Sequence, residues 1–359
     1  MERITVSAAA GPYSVVIGSG AIDALGAEMA AARLGARRIL VSSQKVWDFH
    51  GHLFKKLGAD RTPIIIEDGE RYKNLNTVAR LLDAFVKAQA DRSTVIVAVG
   101  GGVIGDMVGF SAATYLRGLP IVHVPTTLLA QVDSAIGGKT GVNHPLGKNL
   151  IGSFHAPSLV VADPLVLETL PRREFRAGLY EVIKYGVIMD PTLLDRIRDS
   201  VTAIFNRDGD AIAPLVAASC RIKAQVVSAD ERESGLRRIL NFGHTVGHAL
   251  EAVTKYKQFR HGEAIGYGML AALGVGVGRG ITPKALYDEI ESLIAHLGPL
   301  PSVSDISSKE VYAAIGRDKK VVDGTLHFVA ASERGKTVEL TDVTEREIRL
   351  ACKKIGLRP

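Results

Sequence analysis

The chain has 359 residues, of which 47% are hydrophobic, and this length and composition indicate two globular domains with substantial cores. Its net charge of +6 is not concentrated in a basic tract, so nucleic-acid binding is not expected. Two cysteines, Cys220 and Cys352, cannot form a disulfide framework. Because no signal-peptide core and no apolar run of membrane-spanning length are visible, we expect a cytoplasmic protein without a membrane partner.

The first half of the chain alternates apolar, β-branched runs with segments of helical spacing. Five such runs predict strands, at residues 39–42, 63–66, 95–99, 121–125 and 159–162. Residues 77–90 carry apolar side chains at the spacing of a helix. The run at 95–99 is continuously apolar, as in a strand that is buried on both faces. This alternation predicts a Rossmann-like α/β domain with a mostly parallel sheet covered by helices.

The pattern changes at Pro171, beyond which helical spacing dominates as far as Leu297. Pro171 suits the first turn of a helix that runs to Tyr185, with Gly186 just past its end. The longest apolar run, around residues 264–278, is interrupted by glycines and indicates a buried helix. We therefore predict an α/β domain over residues 1–171, followed by an α-helical domain over residues 172–359.

Three turns at the ends of predicted strands are candidates for a dinucleotide site. The strand at 95–99 leads into a glycine-rich turn, whose backbone N–H groups at a helix N-terminus would suit a pyrophosphate. Its glycine spacing does not match the usual dinucleotide-binding motif, Gly-x-Gly-x-x-Gly. The alternative to a dinucleotide site is a tight turn with only a structural role. Acidic side chains in another turn could accept ribose hydroxyls, although an ordinary charged loop would look the same. The candidates are Asp68, Gly69, Glu70, Arg71, Tyr72, Lys73, Gly101, Gly102, Val103, Ile104, Gly105, Asp106, Thr126 and Thr127.

A polar, glycine-rich run spans residues 131–152, and we interpret it as a flexible loop suited to anion capture. It contains Gly138-Lys139-Thr140, which resembles the end of a phosphate-binding P-loop. The first glycine of that motif would have to be residue 133, which is Asp133. This mismatch argues against nucleoside-triphosphate hydrolysis.

A second cluster of polar residues predicts a metal site. His244 and His248 are four residues apart, so they lie on one face of a helix. His261 opens a further helical segment, and Glu181 lies on another. One glutamate with two or three histidines is a plausible ligand set for a borderline divalent metal, although each histidine alone could be a structural residue. Thr245 follows His244, so the His-Glu-x-x-His arrangement of metalloproteases is absent.

These segments resemble the 3-dehydroquinate synthase family, and the resemblance covers essentially the whole chain. The most specific matches lie at residues 100–106, 125–149, 181–186, 241–249, 261–264 and 318–320. The resemblance implies an N-terminal NAD-binding domain and a C-terminal domain that binds metal and substrate, with the active site in the cleft between them. It implies Zn²⁺, or Co²⁺, held by Glu181, His244 and His261. Tyr180, where a small residue is expected, is the nearest departure from the family pattern.

The resemblance also implies further site residues. Those expected at the substrate are Arg117, Lys139, Lys148, Asn149, Lys184, Lys223, Glu233, Arg237, Asn241 and His248. Those expected at the cofactor, besides Lys139 and Lys148, are Asp133, Val166, Leu167, Glu168 and Thr169. One lysine of the pair Lys319 and Lys320 should also reach the site, and the sequence does not choose between them. Lysine and arginine suit carboxylate and phosphate, and His248 is the side chain best suited to accept a proton near neutral pH.

The activity implied is conversion of a seven-carbon keto acid phosphate, 3-deoxy-D-arabino-heptulosonate 7-phosphate, to 3-dehydroquinate and phosphate. The reaction passes through transient oxidation by NAD, phosphate elimination, reduction and intramolecular aldol closure, in the shikimate pathway to aromatic amino acids. A homodimer is usual for the family. The alternatives are a related sugar phosphate cyclase that makes inosose or valiolone products, and a metal-dependent alcohol dehydrogenase of the glycerol type. A non-catalytic dinucleotide-binding regulator would not need the complete ligand set.

Overall fold

The structure is a computed structural model that describes residues 1–57, 62–316, 321–322 and 325–359. The chain forms two compact units, and the first contains Met1–Pro171 together with Arg207–Arg232. The second contains Arg172–Asn206 and Glu233–Pro359. The sequence predicts a domain boundary after residue 171, with the whole of residues 172–359 in the second domain, while in the structure the segment Arg207–Arg232 groups with the first unit. Lys319 and Lys320 lie outside the described residues.

The first unit is built on a seven-stranded sheet. Its strands are β1 (Glu2–Val6), β2 (Tyr13–Ile17), β3 (Arg38–Ser42), β4 (Ile64–Ile65), β5 (Val95–Gly100), β6 (Ile121–Pro125) and β9 (Leu159–Ala162), in the order β1-β2-β9-β6-β5-β3-β4. All neighbouring strands are parallel except β1 and β2. The prediction of a mostly parallel sheet is therefore confirmed.

Helices pack on both faces of the sheet in the first unit. The side chains of β5 show why both faces are covered. Val95, Val97 and Val99 face one apolar cluster, which includes Leu25 of the first helix. Ile96 and Ala98 face the opposite cluster, together with side chains of the third and fourth helices. Because alternate side chains of a strand point to opposite faces, this strand is buried on both sides, as its apolar run predicts. The helices of this unit are α1 (Leu25–Ala31), α2 (Gln44–His50), α3 (Leu75–Lys87), α4 (Gly102–Thr114) and α7 (Gly209–Ala229).

The polar run after β6 forms a β-hairpin, made by β7 (Lys139–His144) and β8 (Gly147–Phe154). The prediction of a flexible loop there is wrong. Gly141 and Gly152 are paired across the hairpin, where a Cβ on either would lie 2.6 Å or less from a backbone oxygen of the opposite strand. The glycines therefore allow close approach of two strands, and they do not indicate a flexible backbone.

The helix α7 is long and apolar enough to cross a membrane, by length and composition alone. However, 67% of its most apolar window is buried inside the fold, where it packs on β1 and β2. A core helix of a globular domain has the same properties, so this is weak evidence for a membrane span.

The second unit is mainly helical, as predicted, and α9 lies at its centre, packed on α5, α8, α10 and α12. Helix α5 continues through Gly186, where the sequence predicted its end. A Cβ at Gly186 would lie 2.6 Å from Leu194, so this glycine allows α6 to approach α5 and does not cap the helix. The elements are α5 (Arg172–Ile188), α6 (Thr192–Phe205), α8 (His244–Val253), α9 (His261–Gly278), α10 (Lys284–His296), α11 (Ser308–Ile315), α12 (Glu345–Lys354), β10 (Val321–Val322), β11 (Thr325–Leu326), β12 (Phe328–Glu333) and β13 (Lys336–Leu340).

Candidate active site

The predicted metal ligands of the second unit come from three helices. His244 is the first residue of α8, His261 is the first residue of α9, and Glu181 lies in the middle of α5. Gly243 precedes His244 with φ = 78°, the left-handed conformation that glycine adopts at no steric cost. A Cβ at Gly262 would lie 1.9 Å from the carbonyl oxygen of Ala177, so glycine is needed where α9 crosses α5. These close contacts bring the three ligand-bearing positions together.

The distances within this cluster suit a divalent metal. Oε1 of Glu181 lies 3.6 Å from Nε2 of His244 and 3.5 Å from Nε2 of His261. Four ligands about 2.0–2.1 Å from a tetrahedral zinc ion are roughly 3.3 Å apart, so a small contraction would complete the site. The ring nitrogens of His244, His248 and His261 also lie within 4.8 Å of one another. The structure therefore brings four of the predicted residues together, and the donor set fits Zn²⁺ or Co²⁺.

The Nδ1 side of each of the imidazoles of His244 and His261, the two candidate ligands, faces a hydrogen-bond acceptor. Nδ1 of His244 lies 3.1 Å from the backbone oxygen of Phe242, and Nδ1 of His261 lies 3.2 Å from Oε2 of Glu251. Glu251 is not among the residues predicted from the sequence. A signal was present, because Glu251 follows His244 by seven residues and therefore lies on the same face of α8.

The charges around these histidines favour a cation. Burial opposes a positive charge on His261, but the carboxylates of Glu251 and Glu181 outweigh it and raise the pKa of His261 to about 10. The second oxygen of Glu181 contacts the buried ammonium of Lys184, one helical turn away. The same carboxylates would stabilise a metal cation at Nε2 of His261, where a ligating histidine must be neutral.

The segment before His244 carries three more predicted residues. Arg237 is fully buried in a short 3-10 helix, Leu236–Asn241. Asn241 donates a hydrogen bond to Oε1 of Glu233, at 2.6 Å. Asn241 also adjoins Phe242, whose carbonyl oxygen holds His244. Glu233, Arg237 and Asn241 therefore belong to the same continuous stretch of chain as the candidate metal ligand His244.

The first unit contains the predicted dinucleotide turn. Gly101 precedes α4, and a Cβ on it would lie 2.9 Å from the side chain of Thr127. A Cβ on Gly102 would lie 2.8 Å from Oγ of Ser134, which belongs to the polar run but is not among the predicted site residues. The amide of Thr126 donates to the carbonyl of Gly100 at 3.0 Å, which joins two of the predicted turns. The start of α4 is half-buried and its free backbone N–H groups can bind an anion, while the role of this turn stays a prediction.

The third predicted turn is tied to α4 and to the hairpin. Lys73 is buried and donates to Oδ2 of Asp106 at 2.5 Å and to Oδ1 of Asn149 at 2.6 Å. Glu70 accepts a hydrogen bond from Asn143 at 2.8 Å and forms an ion pair with Lys148 at 3.5 Å. Five predicted residues therefore form one network, together with Asn143, which the sequence analysis did not single out.

The remaining predicted residues are more scattered. Nζ of Lys223 lies 2.5 Å from Oδ1 of Asp133, and both belong to the first unit. Arg117 and Lys139 are exposed.

Among the residues predicted at the cofactor, Val166 and Leu167 are buried apolar side chains. The hydroxyl of Thr169 lies 2.9 Å from Nε2 of His50 and forms a hydrogen bond with it. Asp68 accepts a hydrogen bond from the amide of Gly69 at 2.7 Å, and its carboxylate can accept further hydrogen bonds.

Comparison with known protein families identifies two matching models. Residues 63–177 match 3-dehydroquinate synthase N-terminal, and residues 178–321 match 3-dehydroquinate synthase C-terminal. The chain is 44% identical to the 3-dehydroquinate synthase of Koribacter versatilis, over 99% of this chain and 98% of that protein. It is 46% identical to the 3-dehydroquinate synthase of Nostoc punctiforme, over 94% of each chain.

Solved structures give the same fold. A 2-epi-5-epi-valiolone synthase from Streptomyces hygroscopicus, with NAD⁺ and Zn²⁺ bound, matches with a TM-score of 0.86 and 29% identity over 96% of each chain. A 2-deoxy-scyllo-inosose synthase complexed with carbaglucose-6-phosphate, NAD⁺ and Co²⁺ matches with a TM-score of 0.85 and 26% identity, over 98% of this chain and 99% of that chain. An iron-containing alcohol dehydrogenase, at 16% identity and a TM-score of 0.68, shares the fold alone. The chain belongs to the 3-dehydroquinate synthase family.

Proposed function

We propose that this chain converts 3-deoxy-D-arabino-heptulosonate 7-phosphate to 3-dehydroquinate and phosphate, as a phosphate-eliminating carbon–oxygen lyase of the shikimate pathway. The observation that carries the proposal is its identity of 44% to a 3-dehydroquinate synthase over nearly the whole of both chains. The complete set of predicted metal ligands and basic side chains supports it. The proposed cofactors are NAD and Zn²⁺, with Co²⁺ as a metal that suits the same ligands.

Glu181, His244 and His261 would hold the metal, which would lower the pKa of a bound substrate hydroxyl and so favour its oxidation. His248 lies beside these ligands and is suited to accept the proton that the hydroxyl loses. Lys184 and Arg237 are buried cations of the same unit and would pair with the carboxylate and phosphate of the substrate. Glu233 and Asn241 orient each other through a 2.6 Å hydrogen bond and can offer polar atoms to the substrate ring.

The first unit would bind the dinucleotide, which when bound would supply a reversible hydride acceptor for the substrate. The start of α4 offers backbone N–H groups to the pyrophosphate, and Glu70 and Asp68 offer carboxylates to ribose hydroxyls. The proposed anion-binding residues of the first unit are Lys139, Lys148, Asn149, Lys223 and Arg117. Asp133 holds Lys223 in place through their 2.5 Å ion pair.

Two rival functions are less well supported. The valiolone and inosose synthases are 29% and 26% identical to this chain, well below the 44% of the Koribacter 3-dehydroquinate synthase. An alcohol dehydrogenase would consume one NAD⁺ for each substrate oxidised, because the hydride leaves with NADH. In the proposed reaction the same NADH returns its hydride, so NAD⁺ is regenerated within each cycle.

The test is an assay in which NAD⁺ is far less concentrated than the keto acid phosphate. We expect phosphate release in large molar excess over NAD⁺, a flat NADH absorbance after any initial transient, and 3-dehydroquinate as the product. Stoichiometric NADH without phosphate would contradict the proposal and favour the dehydrogenase. A cyclic product other than 3-dehydroquinate, from a hexose or heptulose phosphate, would favour a related cyclase.

We further propose that the protein is a cytoplasmic homodimer, as is usual for the family. Both cysteines are buried and unpaired with each other, which suits a reducing compartment. Large apolar side chains are exposed on the hairpin of β7 and β8, where a second copy could cover them.

A further inference from the structure

The two histidines that present Nε2 to Glu181 are held from behind by different groups. His244 faces the carbonyl oxygen of Phe242, a neutral acceptor at 3.1 Å. His261 faces the carboxylate of Glu251 at 3.2 Å. A ring nitrogen that donates to such an acceptor carries the proton, so the opposite nitrogen keeps its lone pair. Both imidazoles are therefore set in the tautomer that a metal ion needs at Nε2.

Glu251 reaches His261 through the geometry of α8. It follows His244 by seven residues and His248 by three, so the three side chains share one face of the helix. Helix α8 packs on α9, and His261 is the first residue of α9. Glu251 is buried, and a buried carboxylate is destabilising unless it is paired or hydrogen-bonded. The contact with His261 therefore gives the buried carboxylate of Glu251 a hydrogen-bond partner. The same contact orients the imidazole of His261.

We propose that Glu251 is a positioning residue for the metal site, an inference that rests on the proposed function. Its carboxylate accepts the Nδ1 proton of His261, fixes the direction of the ring, and increases the electron density that Nε2 offers to a divalent cation. Glu251 contacts the nitrogen that faces away from Glu181, so it acts through His261 and does not bind the metal itself.

The test compares full-length wild type with Glu251→Ala and Glu251→Gln after removal of metal. Zinc affinity is measured by competition with a chromophoric chelator, and the Co²⁺ form is examined by its visible absorption, which depends on ligand geometry. Loss of a group that supports a ligand in this way weakens metal binding by about 10–100-fold, which we expect for Glu251→Ala together with a shifted Co²⁺ band. Glu251→Gln should bind zinc with intermediate affinity, because its amide oxygen still accepts the proton but carries no charge.

Glu310→Gln is the matched control, since it makes the same change in charge at an exposed position of α11 and should bind zinc like wild type. Unchanged zinc affinity and an unchanged Co²⁺ spectrum in both Glu251 variants would overturn the proposal. So would a Glu251→Ala protein that melts earlier without metal but binds zinc like wild type, because Glu251 would then only support packing. A wild-type chain that binds neither metal would contradict the proposed function itself, and this outcome is distinct from equal binding by wild type and variants.

Discussion

At the scale of single residues, the cluster of three imidazoles and Glu181 raises the question of which side chains hold the metal. The predicted ligands are Glu181, His244 and His261, while His248 is assigned to proton transfer. We expect Glu181→Ala, His244→Ala and His261→Ala to lose both bound zinc and activity. His248→Ala should keep its zinc but lose about 10²–10⁴-fold in kcat, the usual contribution of a general acid or base.

The metal content of each variant, measured by atomic spectroscopy, is compared with its turnover. The two measurements together distinguish a metal ligand from a residue that transfers a proton. His296→Ala is the control, because His296 is an exposed histidine at the end of α10 and its loss should change neither quantity. Loss of zinc in His248→Ala would make His248 a ligand. Full zinc content and normal turnover in any of the other three variants would remove that residue from the ligand set.

Tyr180, the departure from the family pattern, is completely buried against Gly266. Its hydroxyl has no hydrogen-bond partner among the residues that the structure describes. A buried polar group without a partner costs about 1–3 kcal/mol, so Tyr180→Phe should raise the free energy of unfolding by about 1 kcal/mol or more. Tyr287→Phe is the control, because the Tyr287 hydroxyl donates to Glu291 at 3.1 Å and its removal should give no such gain. Urea unfolding followed by circular dichroism measures the free energy of unfolding of both variants. A Tyr180→Phe protein less stable than wild type would contradict the interpretation that the Tyr180 hydroxyl is destabilising.

At the scale of helices, the proposed metal site requires a close approach of α9 to α5. Gly262 adjoins His261, and Ala177 precedes Glu181 by one helical turn. Because a Cβ at Gly262 would lie 1.9 Å from the Ala177 carbonyl, Gly262→Ala must push the two helices apart. We expect at least a tenfold loss of zinc affinity and a stability loss of about 1–3 kcal/mol, typical of overpacking.

Gly278→Ala is the matched control on the same helix. A Cβ at Gly278 meets nothing within 4 Å, so this change should leave zinc binding intact and can add stability through helix propensity. Zinc titration and thermal unfolding compare the two variants. Zinc affinity equal to that of wild type in Gly262→Ala would show that this helix crossing does not position the ligands.

The sequence predicted the elements whose patterns follow from burial, and it missed those that depend on a neighbour. The strand at Val95–Gly100 was predictable because burial on both faces requires a continuous apolar run. The hairpin was missed because its glycines resemble those of a loop, although they serve close strand pairing. Gly186 resembles a helix end in the sequence because its packing partner, Leu194, lies on the next helix. Glu251 was missed because its partner, His261, is brought to it only by the packing of α8 on α9.

At the scale of the whole molecule, the proposed homodimer has a candidate surface on the hairpin. Leu150 and Phe154 are 45% and 50% exposed, and their spacing of four residues places them on the same face of β8. Leu146, at the turn of the hairpin, is 87% exposed. Three large apolar side chains exposed within nine residues are typical of a surface that a partner covers. We infer that a second copy of this chain covers them.

Replacing both Leu150 and Phe154 with aspartate should therefore dissociate the dimer, because two charges would be placed in an apolar interface. Light scattering on a size-exclusion column should give twice 38.3 kDa for wild type and a single chain for the double variant. Leu350→Asp is the control, since Leu350 is 55% exposed on α12 and should leave the dimer intact. A monomeric wild type would end the proposal of a dimer. A double variant that keeps the mass of wild type would place the interface on another surface of the molecule.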